Sequence, residues 1–372
     1  MSFVDYRLLD QKIGEVASSV QLNVLFYINP QNLLEEKNKF FEELKKGNEY
    51  NPKFIYPSKN PLYSYFSMQP TFETYKKDLT LMLEELNSEC LGLLCENKIL
   101  DILESIELVK RIGTENFSEN SSQFYGSVDK NLLKLAKEQL SKRVRKEKVH
   151  KLTQNEAKNI ILGYFKKKKL NYKIVMRESA GSAFSLEAKN HILYITKDTK
   201  FDSGLVKRLI AHEIETHAYR YENGLAQPYS LLAKGTSKRM LETEEGLAVN
   251  VEQLKGLQVD SQLKNYAGRV LALDIASRKN FYETFNALSD YFPKEDAFTI
   301  TLRVKRGLHK QSEPGAFTKD ALYLKGFLAV SKFLEEHSMI ELYYGRYSVY
   351  DAPLVMDVDG LIKPKHLPEC DF

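Results

Sequence analysis

The chain of 372 residues has only three cysteines, Cys90, Cys95 and Cys370. An odd number at scattered positions excludes a disulfide framework and fits a reducing compartment. Cys90 and Cys95 fall in a leucine-rich helical stretch, where they read as small core residues rather than metal ligands. No apolar run reaches the length that a membrane span needs. Residues 1–20 lack the charged start and apolar run of a secretory signal. A soluble, cytoplasmic protein is expected. Charge of one sign is missing too: 54 Lys and Arg against 50 Asp and Glu leave a net charge of +4. A dedicated nucleic-acid binder carries a much larger basic excess, so neither nucleic acid nor membrane is an expected partner. Internal repeats and low-complexity segments are absent as well.

What is present is the composition of an ordinary globular protein, 43% apolar and 28% charged, with enough chain for one large domain or two modest ones. Helical periodicity dominates. Helices are expected over residues 3–18 and 31–46, in three or more segments across 71–140 with a polar break at 114–127, and over 262–308 and 318–336. A short apolar run at 23–28 ends in a turn at Asn29-Pro30, and residues 50–70, rich in Pro, Asn, Ser and Tyr, read as an extended connector. Strands are expected at 171–177, 184–187 and 191–196. Asp202-Ser203-Gly204 supplies capping chemistry for a helix to about Tyr221, with Gly224 as its C-terminal stop. A further helix should carry Glu245 to about Leu254. The fold class is therefore α+β, predominantly helical, with a small β-sheet preceding the helix that starts at Asp202. A helical N-terminal subdomain over 1–150 and a second region over 151–372 are expected. The basic runs at 142–151 and 166–169 read as solvated faces.

One segment carries chemistry. His212-Glu213-Ile214-Glu215-Thr216-His217 places two imidazoles and a carboxylate on one predicted helix. Two His ligands, one carboxylate ligand and a free Glu base are the kit of a zinc hydrolase. The usual spacing of four residues separates two rings by about 40° around a helix, whereas the spacing of five found here gives about 140°, too wide for one ion. Local widening with i→i+5 bonding would bring both rings onto one face, so the metal reading requires a π-bulge. Glu213 is the candidate base that takes a proton from water and passes it to the leaving amine. Glu245, in Thr243-Glu244-Glu245-Gly246-Leu247-Ala248, is the candidate third ligand, with Glu244 as the alternate. Gly246 would let the two helices approach closely.

These residues resemble the tyrosine carboxypeptidase family of zincin-like metalloenzymes, which includes the microtubule-associated tyrosine carboxypeptidases and is marked by a Gln-Glu-Gly-Leu-Ala signature. The resemblance runs through Ala211 to His217, Asn223-Gly224, Gln227-Pro228, Glu245 to Val249, Asp296 to Ile300, Arg303, Phe317 to Asp320, Tyr323, Leu324 and Gly326, and earlier through Asn51 to Tyr56. It covers nearly the whole chain. This sequence has Glu244 where the signature has Gln. The resemblance implies one Zn2+ held by His212, His217 and Glu245, Glu213 as catalytic base, and removal of a C-terminal residue, aromatic in the characterised members.

An enzyme acting at a chain end must hold a free carboxylate, a task suited to a bidentate arginine. Arg303 is the candidate, with Arg306 and Lys325 in reserve; the competing reading pairs Arg303 with a structural carboxylate. Tyr323 is the candidate oxyanion donor, ahead of Tyr347. Phe298, Phe317 or Tyr323 would line a pocket for an aromatic side chain, and the strand at 183–187 or 191–196 would pair with substrate backbone. The expected partner is a peptide or protein C-terminus. The alternatives are a metal-dependent amide or ester hydrolase of small molecules, and a non-catalytic interaction protein that keeps the fold.

Overall fold

A computed structural model describes residues 5–19, 24–57, 65–143, 150–178, 184–257 and 259–369. It is predominantly helical, with two small sheets. The chain divides into two compact units, residues 1–143 with 262–325, and residues 144–261 with 326–372. Residues 262–325 thus fold with the N-terminal residues rather than with the segment that follows residue 150. The division falls inside helix Ala321–Phe333, between Lys325 and Gly326.

Among the described residues the first unit contains helices and no strand. Helices Tyr6–Ser19, Val24–Ile28, Leu33–Lys45, Tyr65–Glu84, Cys90–Arg111, Phe117–Tyr125 and Lys130–Ser141 are followed, after the second unit's insertion, by Asp260–Ala276, Phe281–Ser289 and Lys294–Lys305. Two of these depart from the sequence reading. The segment read as a connector is already helical from Tyr65 and carries Pro70 in the second turn, where a missing N–H forfeits one backbone bond near the helix start. The polar break at 114–127 holds helix Phe117–Tyr125, whose buried Phe117, Ser121 and Phe124 supply a narrow inward face among polar neighbours. The core here is aromatic. Phe40 packs on Phe281, Phe285 and Phe298 with ring centroids 5.5, 4.8 and 5.1 Å away. Phe298 and Phe317, considered for a substrate pocket, are both core residues at 1% and 0% exposure. Cys95 is buried and Cys90 half-buried, as their helix position suggested; Cys370 lies outside the described residues.

The second unit opens on strand β1, Lys151–Leu152, and helix Gln154–Lys167, whose start is fixed by a reciprocal capping box between Thr153 and Glu156. Strands β2 (Lys173–Arg177), β3 (Phe184–Glu187) and β4 (Ile192–Thr196) form a sheet of order β2-β4-β3, parallel between β2 and β4 and antiparallel between β3 and β4. The strands match the sequence reading, but β4 is the central strand, so both its edges are occupied and it offers none to a substrate. Strand β5, Phe201–Asp202, pairs with β1 and leads into the histidine helix. Of the basic runs, residues 144–149 lie outside the described residues. Lys167 and Lys168 both pair with Glu369, at 3.2 and 2.6 Å.

No helix among the described residues is long and apolar enough to cross a membrane.

Candidate metal centre

The histidine helix begins where the sequence says it should: Asp202 caps it, accepting from the Leu205 N–H at 2.8 Å. It runs as α-helix over Ser203–Leu209, π-helix over Ile210–Ala218 and α-helix again over Tyr219–Leu225. The widened segment spans both histidines. Its i→i+5 pattern is seen in the Tyr219 N–H donating to Ile214 O, and the Thr216 hydroxyl reinforces it by donating to Ala211 O at 3.0 Å. With an extra residue in the turn, the His212 and His217 rings meet edge to face, centroids 4.9 Å apart. Gly224 is not a helix stop. It lies inside the last turn, where a Cβ would overlap the Leu232 carbonyl oxygen, so it serves the close packing of helix Leu231–Lys234.

The glutamate helix, Met240–Leu254, supplies the third donor. One ligand atom from each of His212, His217 and Glu245 lies within 4.8 Å of the other two, and His212 Nε2 stands 3.6 Å from Glu245 Oε2. Donors about 2.0–2.1 Å from a tetrahedral ion lie roughly 3.3 Å apart, so the three side chains need close by only a fraction of their length to share one ion. Glu244 faces elsewhere. Buried to 2%, it accepts from His217 Nδ1 at 3.1 Å, is bonded to the buried Arg220, and lies 3.4 Å from Arg346 Nε.

Both imidazoles are oriented by carboxylates on the glutamate helix. His212 Nδ1 lies 2.7 Å from Glu252 Oε1, as His217 Nδ1 does at 3.1 Å from Glu244. An ionised carboxylate only accepts, so each Nδ1 is the protonated nitrogen, and Nε2 is the ring position left to meet a ligand. Glu252 and Glu244 were not singled out as orienting groups from the sequence. The signal was available for Glu252, seven residues after Glu245 and nearly two full turns on, so that both fall on one side of the helix.

Electrostatics around the histidines favour a cation. Four carboxylates, Glu213, Glu244, Glu245 and Glu252, stand against two guanidiniums, Arg220 and Arg346, and Glu252 Oε2 is buried without a hydrogen-bond partner. Burial by itself would lower the His212 pKa, but hydrogen bonding to Glu245 and Glu252 and the nearby Glu213 raise it well above the usual value. The same field favours a divalent cation. Burial by itself would raise the Glu244 pKa, yet Arg220 and Arg346 hold it well below the usual carboxylate range. Arg220 is fully buried and satisfied: Nε donates to Leu342 O and Gly345 O, at 2.8 and 3.0 Å, and Nη2 to Tyr347 O at 2.7 Å.

The remaining acids of the motif divide their roles. Glu213 is half-buried, and no hydrogen bond or ion pair engages its carboxylate among the described residues. Glu215 is wholly buried, accepts from Tyr164 at 2.5 Å and pairs with Lys255, so it ties the helix to its surroundings. Gly246 does permit a close approach, but its partner is helix Ala321–Phe333 and not the histidine helix. A Cβ on Gly246 would overlap the Gly326 carbonyl group, and one on Gly326 would overlap the Glu242 carbonyl oxygen.

Arg303, Tyr323 and Lys325 belong to the first unit. Arg303 gives its fork to Asp320, with Nε and Nη2 at 2.5 and 2.9 Å from the two carboxylate oxygens. Tyr323 stacks on Tyr266 at 5.0 Å, and Lys325 donates to Ser127 O at 3.2 Å. Arg306 is buried and donates to Asn29 at 2.9 Å. Tyr347, in the second unit, is fully buried and donates to Glu341 O.

A family model described as microtubule-associated tyrosine carboxypeptidase matches residues 38–370. The chain belongs to that family. Similar proteins include MATCAP2 of Mus musculus, 34% identical over 132 residues, which is 34% of this chain and 25% of the relative. MATCAP2 of Homo sapiens is 32% identical over 130 residues, 34% of this chain and 24% of the relative. Microtubule-associated tyrosine carboxypeptidase 1 of Rattus norvegicus is 33% identical over 129 residues, 33% of this chain and 26% of the relative. The aligned stretches thus span about a quarter of these relatives' length.

Proposed function

We propose that this chain is a zinc-dependent metallocarboxypeptidase that removes a C-terminal, tyrosine-like residue from peptides or proteins in the cytoplasm. The observation that carries the reading is the convergence of His212, His217 and Glu245 on a π-helical segment, with both Nδ1 atoms held by carboxylates. Family membership supports the substrate class. The donor set fits zinc: two imidazoles and one carboxylate leave a fourth position of a tetrahedron open. When bound, the ion supplies Lewis acidity and brings the pKa of water toward about 7.

The chain's own groups do the rest. Glu213, next to the first histidine and not engaged elsewhere among the described residues, takes the proton of the attacking water and delivers it to the leaving amine. Glu252 and Glu244 fix the tautomer and tilt of the two imidazoles, and Arg220 fixes Glu244. The π-helix is bridged by the Thr216 hydroxyl and by the Tyr343 hydroxyl, which donates to Glu215 O at 2.9 Å.

Mass spectrometry of peptides ending in Tyr, Phe, Leu or Lys tests the reading. The expected result is loss of one C-terminal residue, greatest for Tyr or Phe, abolished by a chelator and restored by zinc. Glu213→Gln should lower turnover by about 10²–10⁴-fold while keeping the metal. Cleavage that a chelator leaves untouched would contradict the proposal.

A further inference from the structure

The first unit holds a group of cations that the chemistry above does not use. Arg269 on helix Asp260–Ala276, Arg303 on helix Lys294–Lys305 and Lys319 in the 3-10 turn Thr318–Asp320 all face the ring of Tyr323, at 4.7, 5.8 and 5.8 Å from its centroid. Asp320 is the carboxylate that Arg303 and Arg269 share. It is wholly buried and gripped at both oxygens by Arg303, with Arg269 Nε 3.8 Å away. Burial alone would raise its pKa, but Arg303 and Arg269 hold it well below the usual carboxylate range. One negative charge therefore faces three guanidiniums, Arg303, Arg269 and the buried Arg306, with Lys319 nearby as a further cation, and Arg303 has already spent its fork on it.

Arg269 and Lys319 keep donors to spare. Arg269 Nε donates to Asn265 at 3.0 Å, while its terminal nitrogens meet no acceptor among the described residues. Lys319 is 7% exposed, and its ammonium has no hydrogen-bond or ion-pair partner among the described residues. A cation nine-tenths buried without a counter-charge is costly unless a ligand completes it. Aromatic faces hold the guanidinium in place: Arg269 lies 5.2 Å from the Tyr266 ring as well, and Tyr266 and Tyr323 lie 5.0 Å apart. A planar fork fixed over aromatic rings is preorganised for a planar two-oxygen anion.

We propose that Arg269 and Lys319 form a carboxylate-binding site, with the two terminal nitrogens of Arg269 meeting the two oxygens, Lys319 adding the second charge, and Tyr323 and Tyr266 lying against the apolar flank of the ligand. The source of the carboxylate is the free end of a peptide chain, and for that source alone the inference rests on the carboxypeptidase reading. Arg303 is a positioning residue here, acting through Asp320.

The test is fluorescence anisotropy on the full chain, with chelator present so that nothing is cleaved. Three labelled dodecapeptides are compared: one ending in a free Tyr carboxylate, its C-terminal amide, and an amide with Glu in place of the final Tyr. The free acid should bind about tenfold tighter than its amide, the gain expected of a charge-assisted pair. Arg269→Gln should erase that difference and leave amide binding unchanged; Lys319→Gln should reduce it severalfold. Acetate should displace the free acid better than inorganic phosphate at equal ionic strength. Equal binding of acid and amide, an unaltered difference in Arg269→Gln, or stronger displacement by phosphate would overturn the site, and acid-like binding of the Glu amide would overturn the chain-end source. Should Arg269→Gln fail to fold, Lys319→Gln, which has no hydrogen bond to lose, decides. Discrimination of acid from amide without any cleavage when zinc is restored would sink the carboxypeptidase reading and leave this site standing.

Discussion

The two units solve opposite electrostatic problems with similar parts. Around the histidines of the second unit, four carboxylates face two guanidiniums; around Asp320 in the first, three guanidiniums face one carboxylate. In each, one buried acid is neutralised by arginine, Glu244 by Arg220 and Asp320 by Arg303, and serves to hold other side chains still. The groups left to meet a ligand are Glu245 and the two Nε2 atoms in one unit, and Arg269 and Lys319 in the other. The comparison teaches that a buried salt bridge can act as a fixed mount from which the remaining charges are presented, rather than as a stabilising device in itself.

The comparison can be broken at its mounts. The largest stability effect is expected from Asp320→Asn, which removes the buried charge that half-buried Arg303 grips and should cost about 3 kcal/mol by thermal or urea unfolding at neutral pH. Because the folded-state pKa of Asp320 lies below its unfolded value, its contribution is fully present above about pH 4 and is lost as the pH falls below that. The gap between wild type and Asp320→Asn should therefore narrow on acidification; a gap that widens would contradict the assignment. Next comes Gly326→Ala, whose new Cβ meets the Glu242 backbone, which cannot swing aside. Overpacking of this kind costs about 1–3 kcal/mol, and because it displaces the glutamate helix it should weaken zinc binding too. Unchanged melting would mean that the two helices can separate at little cost. The smallest effect is expected from Glu252→Gln, which keeps the fold but takes the charge from behind His212. Its zinc affinity, read by competition with a chromogenic chelator, should fall about 10–100-fold. No change would remove Glu252 from the orienting role.

Much of this was legible in local sequence, and its limits are physical. The five-residue spacing of His212 and His217 required a widened turn because an ordinary helix splays the rings, and the π-helix over Ile210–Ala218 meets that requirement. Strand positions followed from alternation and turn residues. Partners contributed by distant segments were not legible. Gly246 announced a close approach but not that Gly326 would be its counterpart, and Arg303 carried no sign that Asp320, 17 residues on, would take its fork. Helix Phe117–Tyr125 was hidden because tertiary packing of a few buried residues, not periodicity, maintains it. That residues 262–325 fold with the N-terminal helices is a property of the packed core, centred on Phe40, Phe281 and Phe298, which no local window contains.

The central claim is that His212, His217 and Glu245 together hold one ion. The direct measurement is metal content by mass spectrometry of the purified chain after dialysis against excess zinc, alongside His217→Ala, Glu245→Ala and Glu244→Gln. The account predicts one zinc per chain in the wild type, near-total loss in His217→Ala and Glu245→Ala, and weakened but persistent binding in Glu244→Gln. Full zinc content in Glu245→Ala, or none in the wild type, would contradict it.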